Sequence, residues 1–192
     1  YTSPHLTRFN ERIRLDADEI DDDMLCRAFD AVDRARGETS LTYFEFSTLA
    51  ALYLFVSNSP DAVILEVGLG GRLDAVNIID PDVSLITTVA FDHQAWLGND
   101  LGRIAREKAG IMRRGHVTVF GGDQPPRELL DTAKEKGAVL LLRGRDYLLE
   151  SDRESWSWRM GDHLRAGLPI PGLRGRHQLN NAAAVLAVIQ SM

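Results

Sequence analysis

Cysteine is nearly missing from this chain: Cys26 stands alone among 192 residues, which excludes an intrachain disulfide framework and suits a reducing cytoplasm. Lysine is confined to Lys108, Lys134 and Lys136, so basic charge is almost all arginine and each lysine carries interest. There is no long basic run and the net charge is −6, which argues against a nucleic-acid partner. No apolar run is long enough to span a membrane, and no signal peptide is recognisable, so no membrane association is expected. A dinucleotide fingerprint is also lacking, because Leu73 stands where the third glycine of GxGxxG would follow Gly68 and Gly70. No phosphate loop of the form GxxxxGKS/T occurs. There is no initiator methionine at Tyr1, and residues 181–192 stop inside an apolar helical run without a capping signal. Both ends are expected to be cuts through a longer protein.

What is present suits one α/β domain with ample apolar content for a core. Residues 8–15 alternate charged and apolar side chains, as a half-exposed strand would. Residues 16–37 carry acids early, Leu25, Ala28, Phe29 and Val32 at helical spacing, and Gly37 as terminator. Cys26 reads as a small core residue of that helix. Residues 42–56 are nearly all apolar and suit a helix packed on a sheet face. A strand at 84–91, a helix capped by Asn99 or Asp100, a strand at 117–120, a helix around 127–136 and a strand at 138–142 then alternate. That rhythm predicts a mostly parallel sheet flanked by helices. Short alternating segments at 147–149, 156–158 and 163–168 predict a small antiparallel extension near 146–168, with Trp156 and Trp158 packed on the sheet. A further helix begins near Gln178.

Residues 62–76, AVILEVGLGGRLDAV, organise the functional reading. The β-branched run 62–65 predicts a buried strand, with Glu66 at its carboxyl end and Gly68, Gly70 and Gly71 next. Ligand crevices of open parallel sheets lie outside the carboxyl ends of strands, so this is the layout of a metal or phosphate site. Turn glycines after a core strand, with a solvated Glu66, would leave the same sequence. His93 follows the next strand, and a carboxylate with an imidazole and a hydroxyl could hold a divalent ion. Magnesium is usual in ATP-using sites, whereas imidazole suits zinc or manganese equally well. His93 could equally be a hydrogen-bonded loop residue.

Five blocks then carry a resemblance: residues 1–14 (YTSPHLTRFNERIR), 41–50 (LTYFEFSTLA), 65–77 (LEVGLGGRLDAVN), 92–98 (DHQAWLG) and 105–111 (AREKAGI). In order and over nearly the whole length, they resemble folylpolyglutamate synthase/dihydrofolate synthase of the Mur ligase superfamily. The resemblance implies a Mur-type central domain, similar to P-loop NTPases. Residues 1–192 would then be part of the ATP-binding domain, lacking the upstream phosphate loop and the carboxyl-terminal Rossmann-like domain. It implies an ATP-dependent ligase of EC class 6.3.2 that adds L-glutamate to dihydropteroate or reduced folates through an acyl phosphate, and a piece that is inactive by itself. Implied cofactors are Mg²⁺ and the co-substrate ATP, in a cytoplasmic monomer.

By the same resemblance Ser3, Glu66 and His93 would be magnesium ligands, with Glu66 and His93 also in the catalytic set. Lys108 would be carbamylated, an anion where a free ammonium would repel the metal. Thr42, Phe44, Asp74 and Ala75 would line the pterin pocket, and Gln178 and Asn181 would read adenine, although superfamily relatives commonly have asparagine where Gln178 stands. A peptidoglycan-precursor ligase and a non-catalytic nucleotide-binding paralogue are the alternatives. The LTYFEF block and the short GLGGRLDA loop favour the folate branch.

Overall fold

Helix signals in the amino-terminal third are met by side chains that close the orphan backbone groups at helix ends. The computed structural model describes residues 1–90, 100–152, 154–173 and 175–192. These divide into two units, Tyr1–Ile79 and Asp80–Met192.

In the first unit, α1 (Asp22–Arg36) starts at Asp21, whose carboxylate accepts from Met24 N at 2.6 Å, and ends at Gly37 with φ +54°. Acids in its first turn and arginines in its last complement the helix dipole. α2 (Tyr43–Asn58) opens with a capping box: Thr42 Oγ1 accepts from Glu45 N at 3.2 Å while Glu45 Oε2 accepts from Thr42 N at 2.7 Å. The hydrogen bonds from Thr42 hold the Glu45 carboxyl below the usual carboxylate range. Ala28 of α1 and Ala50 and Ala51 of α2 are fully buried, so the two helices pack closely around Leu25, Val32, Leu54 and Phe55. α2 therefore packs on a helix rather than on a sheet face. Cys26 is exposed and not in the core, because it follows Leu25 onto the outer side of α1.

Residues 8–15 also depart from expectation. Phe9–Arg12 forms a 3₁₀ turn, and only Arg14–Leu15 (β1) pairs, antiparallel, with Asp18–Glu19 (β2). The intervening Asp16 and Ala17 both have positive φ, which matches the twist of a two-residue hairpin. The turn is set by the Glu11 carboxylate, which accepts from Thr7 Oγ1 and from the backbone N–H groups of Leu6, Thr7 and Arg8. That local capture outweighs the alternation seen in the sequence.

The predicted buried strand at 62–65 is neither buried nor part of a sheet among the described residues: Ile64 is 84% exposed and Val63 45%. Among the described residues its backbone meets Tyr1, through Tyr1 N to Ile64 O at 2.8 Å and Glu66 N to Tyr1 O at 3.0 Å. Apolar composition expresses a demand for burial, whereas a ladder also needs neighbouring strands.

The second unit follows the predicted rhythm. β3 (Val83–Ile86), β4 (Val117–Phe120) and β5 (Val139–Leu142) form a parallel sheet with β4 in the centre. The predicted strand 84–91 is shorter than expected; residues 87–90 are irregular and Phe91 lies outside the described residues. α3 (Leu101–Ala109), capped by Asp100, and α4 (Arg127–Lys136) connect consecutive strands. Their Ala105, Ala109, Leu129 and Ala133 pack with Ile86, Phe120 and Leu142. Val119, on the opposite side of β4, packs instead with Ala183, Ala184 and Ala187 of α5 (Arg176–Ser191), as the period of two in a strand requires.

An antiparallel sheet of β6 (Tyr147–Ser151), β7 (Ser155–Met160) and β8 (His163–Pro169) completes this unit. Trp156 and Trp158 are buried, and Trp158 Nε1 donates to Ala183 O at 3.0 Å. Tyr147 donates to Phe120 O at 2.9 Å, and burial pushes its phenol up to about 12. The chain is thus α/β, with a helix-flanked parallel sheet and a small antiparallel one.

Candidate active site

The loop 1–5 and the segment ending at Glu66 are joined side by side in the first unit. Besides the Tyr1 bonds to Ile64 and Glu66, Thr2 N donates to Arg12 O at 2.9 Å. The exposed Glu66 carboxylate accepts from the Thr2 hydroxyl and, at 3.1 Å, from Ser3 N, both on Oε2. One carboxylate is thereby fixed next to a serine through Oε2. These are hard oxygen donors of the kind that magnesium and manganese accept. Among the described residues no three His, Cys, Asp or Glu side chains converge as a metal cluster.

Beyond Glu66 the glycine segment is shaped by two side chains. The Phe44 ring covers Gly68, where a β-carbon would lie 2.7 Å from Phe44 Cζ. Asp74 closes the loop, its carboxylate accepting from Leu69 N at 2.9 Å and from Val76 N at 3.0 Å. Asp74 also caps the 3₁₀ turn Ala75–Ile78. A cleft of about 370 Å³ lies between this loop and α2, with Leu41, Thr48 and Leu49 on one side and Arg72, Asp74 and Ala75 on the other. Of the four residues assigned to a pterin pocket, Asp74 and Ala75 line it. Thr42 is occupied as a helix cap, and Phe44 packs on Gly68 and on the Tyr1 ring, 6.0 Å between centroids.

The other candidates belong to the second unit or lie outside the described residues. Lys108 is half-buried in the last turn of α3, with no ion-pair partner among the described residues. Gln178 and Asn181 are half-buried on the first turns of α5, where Asn181 Nδ2 donates to Gln178 Oε1 at 3.3 Å. His93 is among residues 91–99, outside the described residues. The structure therefore brings Ser3 together with Glu66, Asp74 with Ala75, and Gln178 with Asn181.

Three further polar residues of the first unit stand out in the structure and not in the sequence. Arg12 is 7% exposed and donates from Nε to His5 Nδ1 at 2.8 Å. Thr48 is buried in the cleft wall, and its hydroxyl has no hydrogen-bond partner among the described residues. The arginine was hidden by the alternation of FNERIR. The threonine was legible only as one of the few polar residues inside an apolar helix.

No family model matches the chain. Curated proteins do. The dihydrofolate synthase/folylpolyglutamate synthase of Escherichia coli is 42% identical over 191 residues, covering all of this chain and 44% of that protein. The folylpolyglutamate synthase of Lacticaseibacillus casei is 34% identical over 199 aligned residues, covering 96% of the chain and 46% of that protein. Among solved structures, E. coli FolC in complex with DHPP and ADP superposes with a TM-score of 0.94 at 43% identity, over the whole chain and 45% of that structure. The bifunctional folylpolyglutamate synthase/dihydrofolate synthase of Yersinia pestis, complexed with AMPPNP and a Mn ion, gives 0.92 at 46% identity, again over the whole chain and 45% of that structure. Along its entire length, then, this chain is a homologue of the dihydrofolate synthase/folylpolyglutamate synthases, and it spans less than half the length of the relatives it matches.

Proposed function

We propose that this chain is part of the ATP-binding domain of a ligase that joins L-glutamate to dihydropteroate, to reduced folates, or to both. The observation that carries the reading is the Glu66 carboxylate, held by Thr2 and Ser3, in a chain that aligns along its whole length with the synthases. In the proposed reaction the acceptor's carboxylate oxygen takes the γ-phosphoryl group of ATP, with loss of ADP. The glutamate amine then attacks the acyl carbon, and inorganic phosphate leaves with its bond to that carbon broken.

A magnesium ion would be held by Ser3, Glu66 and His93, and when bound it supplies positive charge to the transferring phosphoryl group. This chain's own contribution is to keep the Glu66 carboxylate aimed between two donors, so that little reorganisation is required at the site. Lys108, half-buried and without an ion-pair partner among the described residues, suits carbamylation to an anion. The cleft bounded by Asp74 and Ala75 offers an acceptor and an apolar wall to a pterin ring, with Thr42 and Phe44 on the adjoining turn of α2. Gln178 and Asn181 present amides suited to an adenine edge. A cytoplasmic, monomeric enzyme fits this chemistry, and no helix of the described residues is long and apolar enough to cross a membrane.

Oxygen-18 in the acceptor carboxylate tests the acyl phosphate. The longer protein carrying this chain should transfer one labelled oxygen to inorganic phosphate for each amide formed. Amide formation with unlabelled phosphate would exclude the mechanism. Comparing dihydropteroate with tetrahydrofolate as acceptor separates a bifunctional enzyme from one confined to polyglutamylation.

A further inference from the structure

Arginine is seldom buried without an acidic partner, because removing its charge from water is costly unless the charge is matched. Arg12 breaks that rule. It is 7% exposed, and among the described residues its guanidinium has no carboxylate partner. Two acids of this region are committed elsewhere: Glu11 to Leu6, Thr7 and Arg8, and Asp22 to Arg8 at 3.1 Å and Asn10 Nδ2 at 2.9 Å.

Instead, the guanidinium packs against two aromatic rings. Its central carbon lies 5.5 Å from the centroid of Phe9 and 5.2 Å from that of Tyr43, and Nε donates to His5 Nδ1 at 2.8 Å. Because Nε is only a donor, His5 must carry its proton on Nε2. That leaves the two terminal nitrogens of Arg12 and the Nε2–H of His5 as donors on one cluster. Tyr43, one wall of the cluster, is 61% exposed, so the cluster reaches the surface there. The same loop supplies Thr2 and Ser3 to Glu66, and Arg12 O accepts from Thr2 N at 2.9 Å. Tyr43 stands between Thr42 and Phe44. A planar fork with four N–H bonds to offer, braced against two rings set at 84° to each other, is shaped for a carboxylate or phosphoryl group.

We propose that Arg12, together with His5, is an oxyanion receptor that holds the acidic end of the acceptor substrate, as its carboxylate or as the acyl phosphate made from it. The substrate assignment rests on the ligase reading; the receptor itself does not.

The receptor is tested on the 192-residue chain by following the Arg12 Nε–H resonance in ¹H–¹⁵N spectra. Titration with 4-aminobenzoate probes the carboxylate source and inorganic phosphate the phosphoryl source, with sodium chloride at matched ionic strength as reference. A saturable shift of the Arg12 and Tyr43 signals by one or both oxyanions, and not by chloride, is expected. Absence of saturation, or an equal response to chloride, overturns the proposal without recourse to any variant that could misfold. In the longer protein, Arg12→Lys, which loses the planar fork, should raise the KM for the pterin acceptor by about tenfold or more. The KM values for ATP and glutamate should stay unchanged. Turnover with an unaltered acceptor KM would overturn the receptor. Oxyanion binding in a protein without glutamate-dependent turnover would overturn the ligase reading and leave the receptor standing.

Discussion

The ring of Phe44 lies so close to Gly68 that a β-carbon on the glycine would stand 2.7 Å from Cζ. That one relationship couples the first turn of α2 to the loop that follows Glu66. Gly68→Ala must therefore push the ring or the loop, and overpacking of this sort costs about 1–3 kcal/mol. Thermal unfolding should show the loss, and Phe44→Leu in the same chain should recover part of it. Additive losses in the double variant would mean that the two residues are not coupled in this way.

Thr42 has both a structural duty and a proposed substrate role, and the two can be separated. Removing the cap in Thr42→Ala should destabilise the chain by about 1 kcal/mol, whereas Thr42→Ser keeps the hydroxyl and should cost little. Urea unfolding of both variants reads this difference. If Thr42→Ser lost as much as Thr42→Ala, the methyl group rather than the cap would be the stabilising feature.

Glu11 gives the amino-terminal loop a marked acid sensitivity. Hydrogen bonds, from the Thr7 hydroxyl first and then from backbone N–H groups, lower its carboxyl from 4.5 to about 2. A depressed carboxylate contributes stability above its unfolded value, and the contribution is lost as pH falls through the folded one. Wild type should thus exceed Glu11→Gln in stability at neutral pH, with the gap closing between about pH 4.5 and pH 2. A gap independent of pH across that window would deny Glu11 this role.

Lys108 should incorporate ¹³C-bicarbonate. In the longer protein with ATP and a divalent metal, a carbamate carbonyl signal is expected in the ¹³C spectrum, and it should vanish in Lys108→Arg together with turnover. Full turnover by Lys108→Arg would show that no carbamate is needed.

The second unit was legible in the sequence because its signals are local and agree with one another. Val117–Phe120 is a short β-branched and aromatic run, Arg127–Lys136 is a helix closed by Gly137, and both form as read. The first unit was harder. Glu11 is three positions from Arg8 and four from Thr7, and its side-chain bonds turn a strand-like alternation into a 3₁₀ turn. Among the described residues the apolar run at 62–65 has Tyr1 as its backbone neighbour, a fact of pairing that composition does not carry. Glu66 stood out by its place before the glycines. Its partners Thr2 and Ser3 lie more than sixty residues away and emerged only from the shared blocks and the fold. Arg12 left no local mark, since burial without a carboxylate partner among the described residues is a property of the packed loop.

Glutamate-dependent phosphate release is the most direct measurement of the central claim. The longer protein carrying this chain is supplied with ATP, Mg²⁺, L-glutamate and either dihydropteroate or tetrahydrofolate, and compared with Glu66→Gln. Release that requires both glutamate and a pterin acceptor, and that falls steeply in Glu66→Gln, is the expected result. Phosphate release indifferent to glutamate and to either acceptor, or unchanged in Glu66→Gln, would contradict the assignment of this site to amide ligation.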